Sequence, residues 1–248
     1  MAEESSPPPK YEAKRVPDGY GWDFATAVPR CPVTYRRPPA VNADKIIESP
    51  GVAHANRAPS VDMPEGSVEY SDKYSEYTVL QQHVLFWDRN NDGIITPIDV
   101  WHSYLPDPFF RLYIDGVHKA KHGSDSGVYD TEGRFVPQKF EDIFANCSER
   151  KDDTLTFKEV FGLMSRNRCA VDPFGWTASF FEWVTTWMLL AKDGKIHKED
   201  LRRVYDGSLF WEIREKRHSG EGWKQGWGIG GDGFIGHRQR LNPHKIMA

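Results

Sequence analysis

The sequence predicts a mainly α protein: a helical domain with short loop-to-loop β-bridges, preceded by an extended arm and followed by a Gly-rich tail. Three observations predict it. Apolar residues recur at spacings of three and four in several separate stretches between residues 77 and 217. Polar loops interrupt these stretches, and one of them reads Asp-x-Asn-x-Asp-Gly over residues 88–93. Proline crowds the chain before residue 70 and glycine crowds it after residue 217. The expected organisation is an extended arm over 1–70, a domain of helices and ion-loop-like turns over 71–217, and a Gly/Trp-rich tail over 218–248.

Composition bounds the function. The chain has 248 residues, of which 39% are hydrophobic, enough for one core of ordinary size. A formal charge of −4, from 32 basic and 36 acidic residues, gives no general attraction to nucleic acid. Cys31, Cys147 and Cys169 are far apart and odd in number, so they form neither a disulfide framework nor a zinc pattern. A reducing, cytoplasmic setting is the default. The acidic, Pro-rich start lacks the basic and apolar regions of a signal peptide. No stretch reaches the roughly 18 apolar residues of a spanning helix. The nearest, "TASFFEWVTTWMLLA" (177–191), carries Glu182 and is expected to be an aromatic-rich, largely buried helix.

The elements follow in order. From Tyr77, the residues Leu80, His83, Val84 and Trp87 share one helical face. The polar loop 88–99 comes next, then a short aromatic helix, "DVWHSYL". Residues 109–114 are aromatic and β-branched, and a polar segment, "KAKHGSDSG", follows them. "PQKFEDIFANC" and "TFKEVFGLMSR" read as amphipathic helices. "HKEDLRRVYDGSLFWEIREKR" reads as a helical stretch broken near Asp206-Gly207. "RKDDTLTFKE" and "AKDGKIHKED" look like remnants of ion loops: polar residues, one apolar residue, then a new helix. Leu155 and Ile196 are expected to pair the two loops, and neither loop has the carboxylates to bind calcium well. "GIGGDG" in the tail lacks the ending of a phosphate loop and reads as part of an aromatic-anchored arm.

Loop 88–99 is a candidate metal site of EF-hand type. Asp88, Asn90 and Asp92 supply side-chain oxygens at positions 1, 3 and 5, and Gly93 at position 6 permits the sharp turn. Ile94 offers its carbonyl, Thr96 holds position 9, and Asp99 takes position 12 in place of the usual bidentate Glu. The shorter carboxylate lowers the coordination number, so the expected site is weak or structural, holding Ca²⁺ or the smaller Mg²⁺.

The histidines are less legible. His83 lies on the apolar stripe, where a lone histidine is more commonly a hydrogen-bonded core residue than a ligand. His122 sits in a polar, glycine-containing segment four residues after His118. On a helix that spacing suits zinc, but no acidic or thiol ligand completes a set.

"HVLFWDRNNDGII", "PFFRLYIDGVHKAKHGSDSGVYDTEGRFV", "KFEDIF" and "VYDGSLF" together resemble the caleosins, also known as plant and fungal peroxygenases. "VLQQH" and "ANRAPSVDMPEG" extend the resemblance upstream, so that it covers roughly residues 31–217. The resemblance implies a haem protein with one calcium-binding EF-hand that moves an oxygen atom from a hydroperoxide to an unsaturated lipid. The family's two essential histidines match His83 and His122. Departures are also visible. The family's long apolar segment with a proline knot is reduced to "VWHSYLPD", Asp99 replaces the family's glutamate, and the tail matches no family feature.

With the resemblance in hand, His83 and His122 become the catalytic and haem-binding candidates. One is an axial ligand; the other is either a second ligand or a distal group that moves a proton between peroxide oxygens. Ser124 and Asp125 either orient His122 or cap a helix. Phe86, Trp87, Phe109, Phe110 and Tyr113 either wall a pocket or belong to the core. The implied partners are a hydroperoxide and a small apolar substrate, with no nucleic acid and at most peripheral membrane or lipid-droplet contact. Two alternatives stand beside this reading. One is a repurposed enzyme of a fungal specialised-metabolite pathway, with or without haem; the other is a non-enzymatic EF-hand adaptor.

Overall fold

A computed structural model describes residues 39–88, 90–95 and 112–218, all within one compact unit. The expected aromatic helix 99–105, the residues Thr96, Asp99, Phe109 and Phe110, the chain before Pro39 and the tail after His218 lie outside the described residues.

The architecture is mainly α with two small antiparallel strand pairs, as the spacing patterns predict. The helices are α1 (Val68–Lys73), α2 (Val79–Val84), α3 (Pro137–Cys147), α4 (Phe157–Asn167), α5 (Pro173–Leu190), α6 (Lys198–Tyr205) and α7 (Ser208–His218). Helix α2 runs on as a 3-10 turn, Leu85–Trp87, and further 3-10 stretches cover Ala43–Lys45 and Ile114–Ala120. Strand β1 (Ile94–Ile95) pairs with β2 (Leu112–Tyr113), and β3 (Thr154–Thr156) pairs with β4 (Lys195–His197).

Leu155 stands opposite Ile196 in the second pair, and both are fully buried. This is the bridge expected between the two loop remnants. In the 148–159 loop, the partly exposed Arg150 bonds the loop's own side chains. Arg150 donates to Asp152 (2.9 Å), Thr154 (3.1 Å) and Glu159 (3.5 Å), while Lys195 adds a contact to Asp152 at 3.1 Å. In the 191–200 loop, Lys192 reaches Asp200 at 2.8 Å. These loops carry their own positive charge.

Helix α5 starts four residues earlier than the apolar run, because Asp172 caps it through Gly175 N–H and Pro173 occupies its first turn. It is not largely buried, contrary to expectation. Only the stripe Gly175, Ser179, Trp183, Trp187 and Leu190 faces the core, and Phe174, Phe180 and Phe181 are exposed. The physical reason is geometric: a single helix face meets the body, so an all-round apolar sequence leaves its other side outside. No helix among the described residues is long and apolar enough to cross a membrane.

The main core joins Phe135, Phe140, Leu155, Trp187, Ile196 and Leu201. Residues 39–67 run against it. His54 bridges Phe135, the Ala58 carbonyl accepts from Arg202, and Val61 N–H donates to Glu141. The chain breaks between α6 and α7 at Gly207, whose φ of 82° lies in the left-handed region.

Candidate functional site

His83 is held from both sides of its backbone. Helix α2 begins with a capping box in which Thr78 and Gln81 satisfy each other's amides. Gln82 is fully buried, and its amide donates to the carbonyls of Asn56, Tyr74 and Tyr77. On the other side Gly207 approaches so closely that a Cβ would lie 2.6 Å from the Gln82 carbonyl oxygen and 2.7 Å from His83 Cα. The same α6–α7 turn supplies the Val204 carbonyl, 2.5 Å from His83 Nδ1. A carbonyl only accepts, so Nδ1 carries the hydrogen and Nε2 the lone pair. No hydrogen bond to Nε2 is present among the described residues. Phe210 and Tyr129 meet the ring edge-on, at centroid distances of 5.3 Å and 6.5 Å. Burial lowers the His83 pKa, and the Val204 carbonyl with the charges of Glu182 and Asp206 offsets part of that. The ring is a neutral imidazole with one nitrogen tethered and the other available.

His122 follows the 3-10 stretch, in a loop fastened by Lys121, which donates to the Tyr129 and Asp130 carbonyls and pairs with Asp125 at 3.4 Å. Its side chain is 5% exposed. Nε2 lies 3.2 Å from Glu182 Oε2, and Nδ1 is buried without a hydrogen-bond partner among the described residues. Gly123 lets the loop close on its neighbour, since a Cβ there would sit 3.2 Å from Asp172. Ser124 and Asp125 do not orient the ring. Ser124 donates to Asp172, the cap of α5, at 2.7 Å, and Asp125 accepts from Gly127 N–H at 2.6 Å. Neither residue caps a helix itself; Ser124 supports Asp172, which does. His118 and His122 share no helix, because the 3-10 stretch ends at Ala120. The zinc spacing therefore has no geometry behind it.

Glu182 links the two histidines. It bonds His122, and its charge also acts on His83, Tyr129 and Tyr205. Around them, Tyr129 donates its hydroxyl to the Tyr205 carbonyl (2.5 Å), and Ser126 bonds the Tyr205 hydroxyl (2.8 Å). Phe86 and Trp87 join this region through Phe210, at 5.5 Å and 5.9 Å. Tyr113 is 56% exposed. Sequence reasoning missed Glu182 as a functional residue. Its signal was that it is the one charged side chain in α5.

In the candidate metal loop, Asp88 is buried and accepts from Asp92 N–H (3.2 Å) and Gly93 N–H (2.9 Å). Asn90 donates to Asp92, which accepts in turn from Ile94 N–H. Gly93, at φ 78°, makes the turn required at position 6. Among the described residues no basic side chain pairs with Asp88 or Asp92, in contrast to the Arg150-filled loop. The donors are all oxygens and fit a hard divalent cation. No group of three or more His, Cys, Asp or Glu that could hold an ion occurs among the described residues. Thr96 and Asp99, the last two ligands the sequence leads one to expect, lie outside them.

The family model described as "Caleosin related protein" matches residues 75–105 and 100–214. The chain belongs to the caleosin family. A peroxygenase of Lilium longiflorum is 33% identical over 224 residues, covering 78% of this chain and 93% of that protein. Probable peroxygenase 4 of Arabidopsis thaliana is 35% identical over 174 residues, covering 58% and 89%. A probable inactive peroxygenase-like protein of Arabidopsis thaliana is 41% identical over 92 residues, covering 37% and 45%. No solved structure matches. The caleosin match spans α2, the metal loop, both histidines and the α6–α7 turn.

Proposed function

We propose that this caleosin is a haem peroxygenase that transfers an oxygen atom from a hydroperoxide to an unsaturated lipid or another apolar alkene, leaving the alcohol and an epoxide. The observation that carries the reading is His83: an imidazole whose pKa burial lowers, tethered at Nδ1 to the Val204 carbonyl, with no hydrogen bond to Nε2 among the described residues. A tethered Nδ1–H is the usual partner of a metal-ligating Nε2, because it fixes both tautomer and ring direction. His83 is therefore the residue that would hold the haem iron, and the relatives named peroxygenases support the reaction class. Haem, when bound, supplies the iron at which the peroxide O–O bond is cleaved. His122 fits the proton-moving role: with Nε2 on Glu182, Nδ1 is the nitrogen that can accept the hydroperoxide proton.

The loop Asp88, Asn90, Asp92 and Ile94, completed by Thr96 and Asp99, is assigned to Ca²⁺ or Mg²⁺. Its neighbour in sequence is α2, so an ion there would brace the end of the segment that carries His83.

The test supplies haem to the purified full chain and records its visible spectrum. A Soret band is expected in wild type, absent in His83→Ala and kept in His122→Ala. A lipid hydroperoxide and an alkene should then yield epoxide and alcohol, slowed in His122→Ala by roughly 10²–10⁴-fold. Absence of both haem binding and oxygen transfer in wild type would sink the reading. The likeness to a probable inactive relative favours one second reading, a repurposed caleosin fold without haem. That reading requires no Soret band after haem supply.

A further inference from the structure

Glu182 is the one charged residue of α5, among aromatic, small and hydroxyl-bearing neighbours. Its side chain is 60% exposed, while the imidazole it meets is 5% exposed. The pair therefore runs from solvent to interior. A carboxylate oxygen accepts, so the 3.2 Å contact places the hydrogen on His122 Nε2. In the neutral ring Nδ1 is then the bare nitrogen, buried and without a hydrogen-bond partner among the described residues. Buried acceptors left without a partner are few in folded proteins, and each calls for a reason.

The other polar groups of the loop are committed elsewhere. Ser124 donates to Asp172, and Asp172 also accepts from Gly175 N–H. Asp125 accepts from Gly127 N–H and pairs with Lys121. Ser126 is engaged with Tyr205. Among the described residues, this leaves Glu182 as the side chain that decides which nitrogen of His122 carries the hydrogen.

We propose that Glu182 is a positioning residue for His122: by accepting Nε2–H it fixes the tautomer in which Nδ1 is unprotonated and turned away from solvent. The ring is held in one orientation as well, because the imidazole would have to break this contact to flip. The purpose rests on the peroxygenase reading, in which Nδ1 accepts the hydroperoxide proton. The geometry itself requires no haem, so the two can fail separately.

The first arm uses the full chain without added haem. Correlation NMR of ¹⁵N-labelled histidine side chains reads which ring nitrogen of His122 is protonated, with His122→Asn identifying the signal. Wild type should show the Nε2–H tautomer. Glu182→Gln should keep it, since the amide oxygen still accepts, and Glu182→Ala should lose it to a mixture. An unchanged tautomer in Glu182→Ala overturns the proposal. Exposure of Glu182 means that both variants should melt close to wild type.

The second arm adds haem and a lipid hydroperoxide. Glu182→Ala should keep the Soret band and KM but lose about 10- to 100-fold in kcat, and Glu182→Gln should recover most of the loss. Wild-type kcat in Glu182→Ala, or loss of its Soret band, overturns the proposal. If wild type neither binds haem nor turns over, the peroxygenase reading fails, and the tautomer measurement alone decides on Glu182.

Discussion

At the scale of single residues, Gly207 explains why "VYDGSLF" accompanies His83 in one chain. The glycine brings the α6–α7 turn against the His83 backbone, and Val204, three residues earlier, presents the carbonyl that the ring requires. A Cβ at 207 would collide with backbone atoms, at a φ that L side chains rarely adopt. Gly207→Ala should therefore cost about 2–5 kcal/mol, combining backbone strain with overpacking, as read by chemical denaturation. The surviving folded fraction should bind haem more weakly, because the tether to Val204 is displaced. If Gly207→Ala leaves both stability and haem affinity intact, the close approach does not matter to the site. The motif itself was visible in the sequence, but the reason for its glycine was not, since the clash is with residues about 120 positions away. His83 was legible only through resemblance: a histidine on an apolar stripe reads the same whether its second nitrogen is satisfied or free. Glu182 was visible as a lone charge in an aromatic helix, and its partner, sixty residues earlier, was not.

At the scale of elements, the three ion-loop-like segments divide by where their positive charge comes from. The Asp88 loop has oxygens and no basic partner among the described residues, and the Asp152 loop has Arg150 and Lys195. In the first loop, Asp99→Glu restores a long carboxylate at position 12. Titration calorimetry should show tighter calcium binding and a larger preference over magnesium; no gain would mean that the loop is not built for bidentate closure. In the second loop, burial by itself would raise the Glu159 carboxyl. Hydrogen bonds from Thr156 and Glu149, with Arg150 alongside, instead hold it below the usual carboxylate range. The folded state thus binds that proton less readily than the unfolded chain. The resulting stability is complete above the unfolded value, near 4.5, and is lost as pH falls through the folded one. Glu159→Gln should lower Tm at neutral pH and flatten its decline between about pH 5 and about pH 3. A parallel decline in both proteins would show that Glu159 carries no such linkage. The pairing of these loops through Leu155 and Ile196 was readable from their likeness to ion loops, in which one apolar residue follows the polar run and precedes a new helix. Their filling by Arg150 was not, since a basic residue in a polar loop looks like any exposed charge.

At the scale of the whole molecule, the candidate site is assembled from distant parts of the chain. His83 comes from α2, its tether from α6, its aromatic neighbours from residues 129 and 210, and the His122–Glu182 pair from the central loop and α5. Helix positions and their amphipathic faces were legible because they depend on neighbours three and four residues away. The outward face of α5 and the convergence on Glu182 were not, because they depend on how helices pack. A site of this kind exists only when the whole unit is folded, so a ligand that engages it binds the native state and not the unfolded chain. Such a ligand must raise Tm by mass action, with a gain of about 2.7 kcal/mol when free ligand is about 100 times its dissociation constant. Haem supplied to wild type should therefore shift the melting transition upward as a single step, monitored by far-UV circular dichroism and by tryptophan fluorescence together. His83→Ala should melt at the same temperature with and without haem, since the nitrogen proposed to hold the iron is gone, while His122→Ala should retain most of the shift. Equal shifts in wild type and His83→Ala would mean that haem binds elsewhere or non-specifically. A shift lost in both variants would instead make His122 a second ligand and return the proton-moving role to another group.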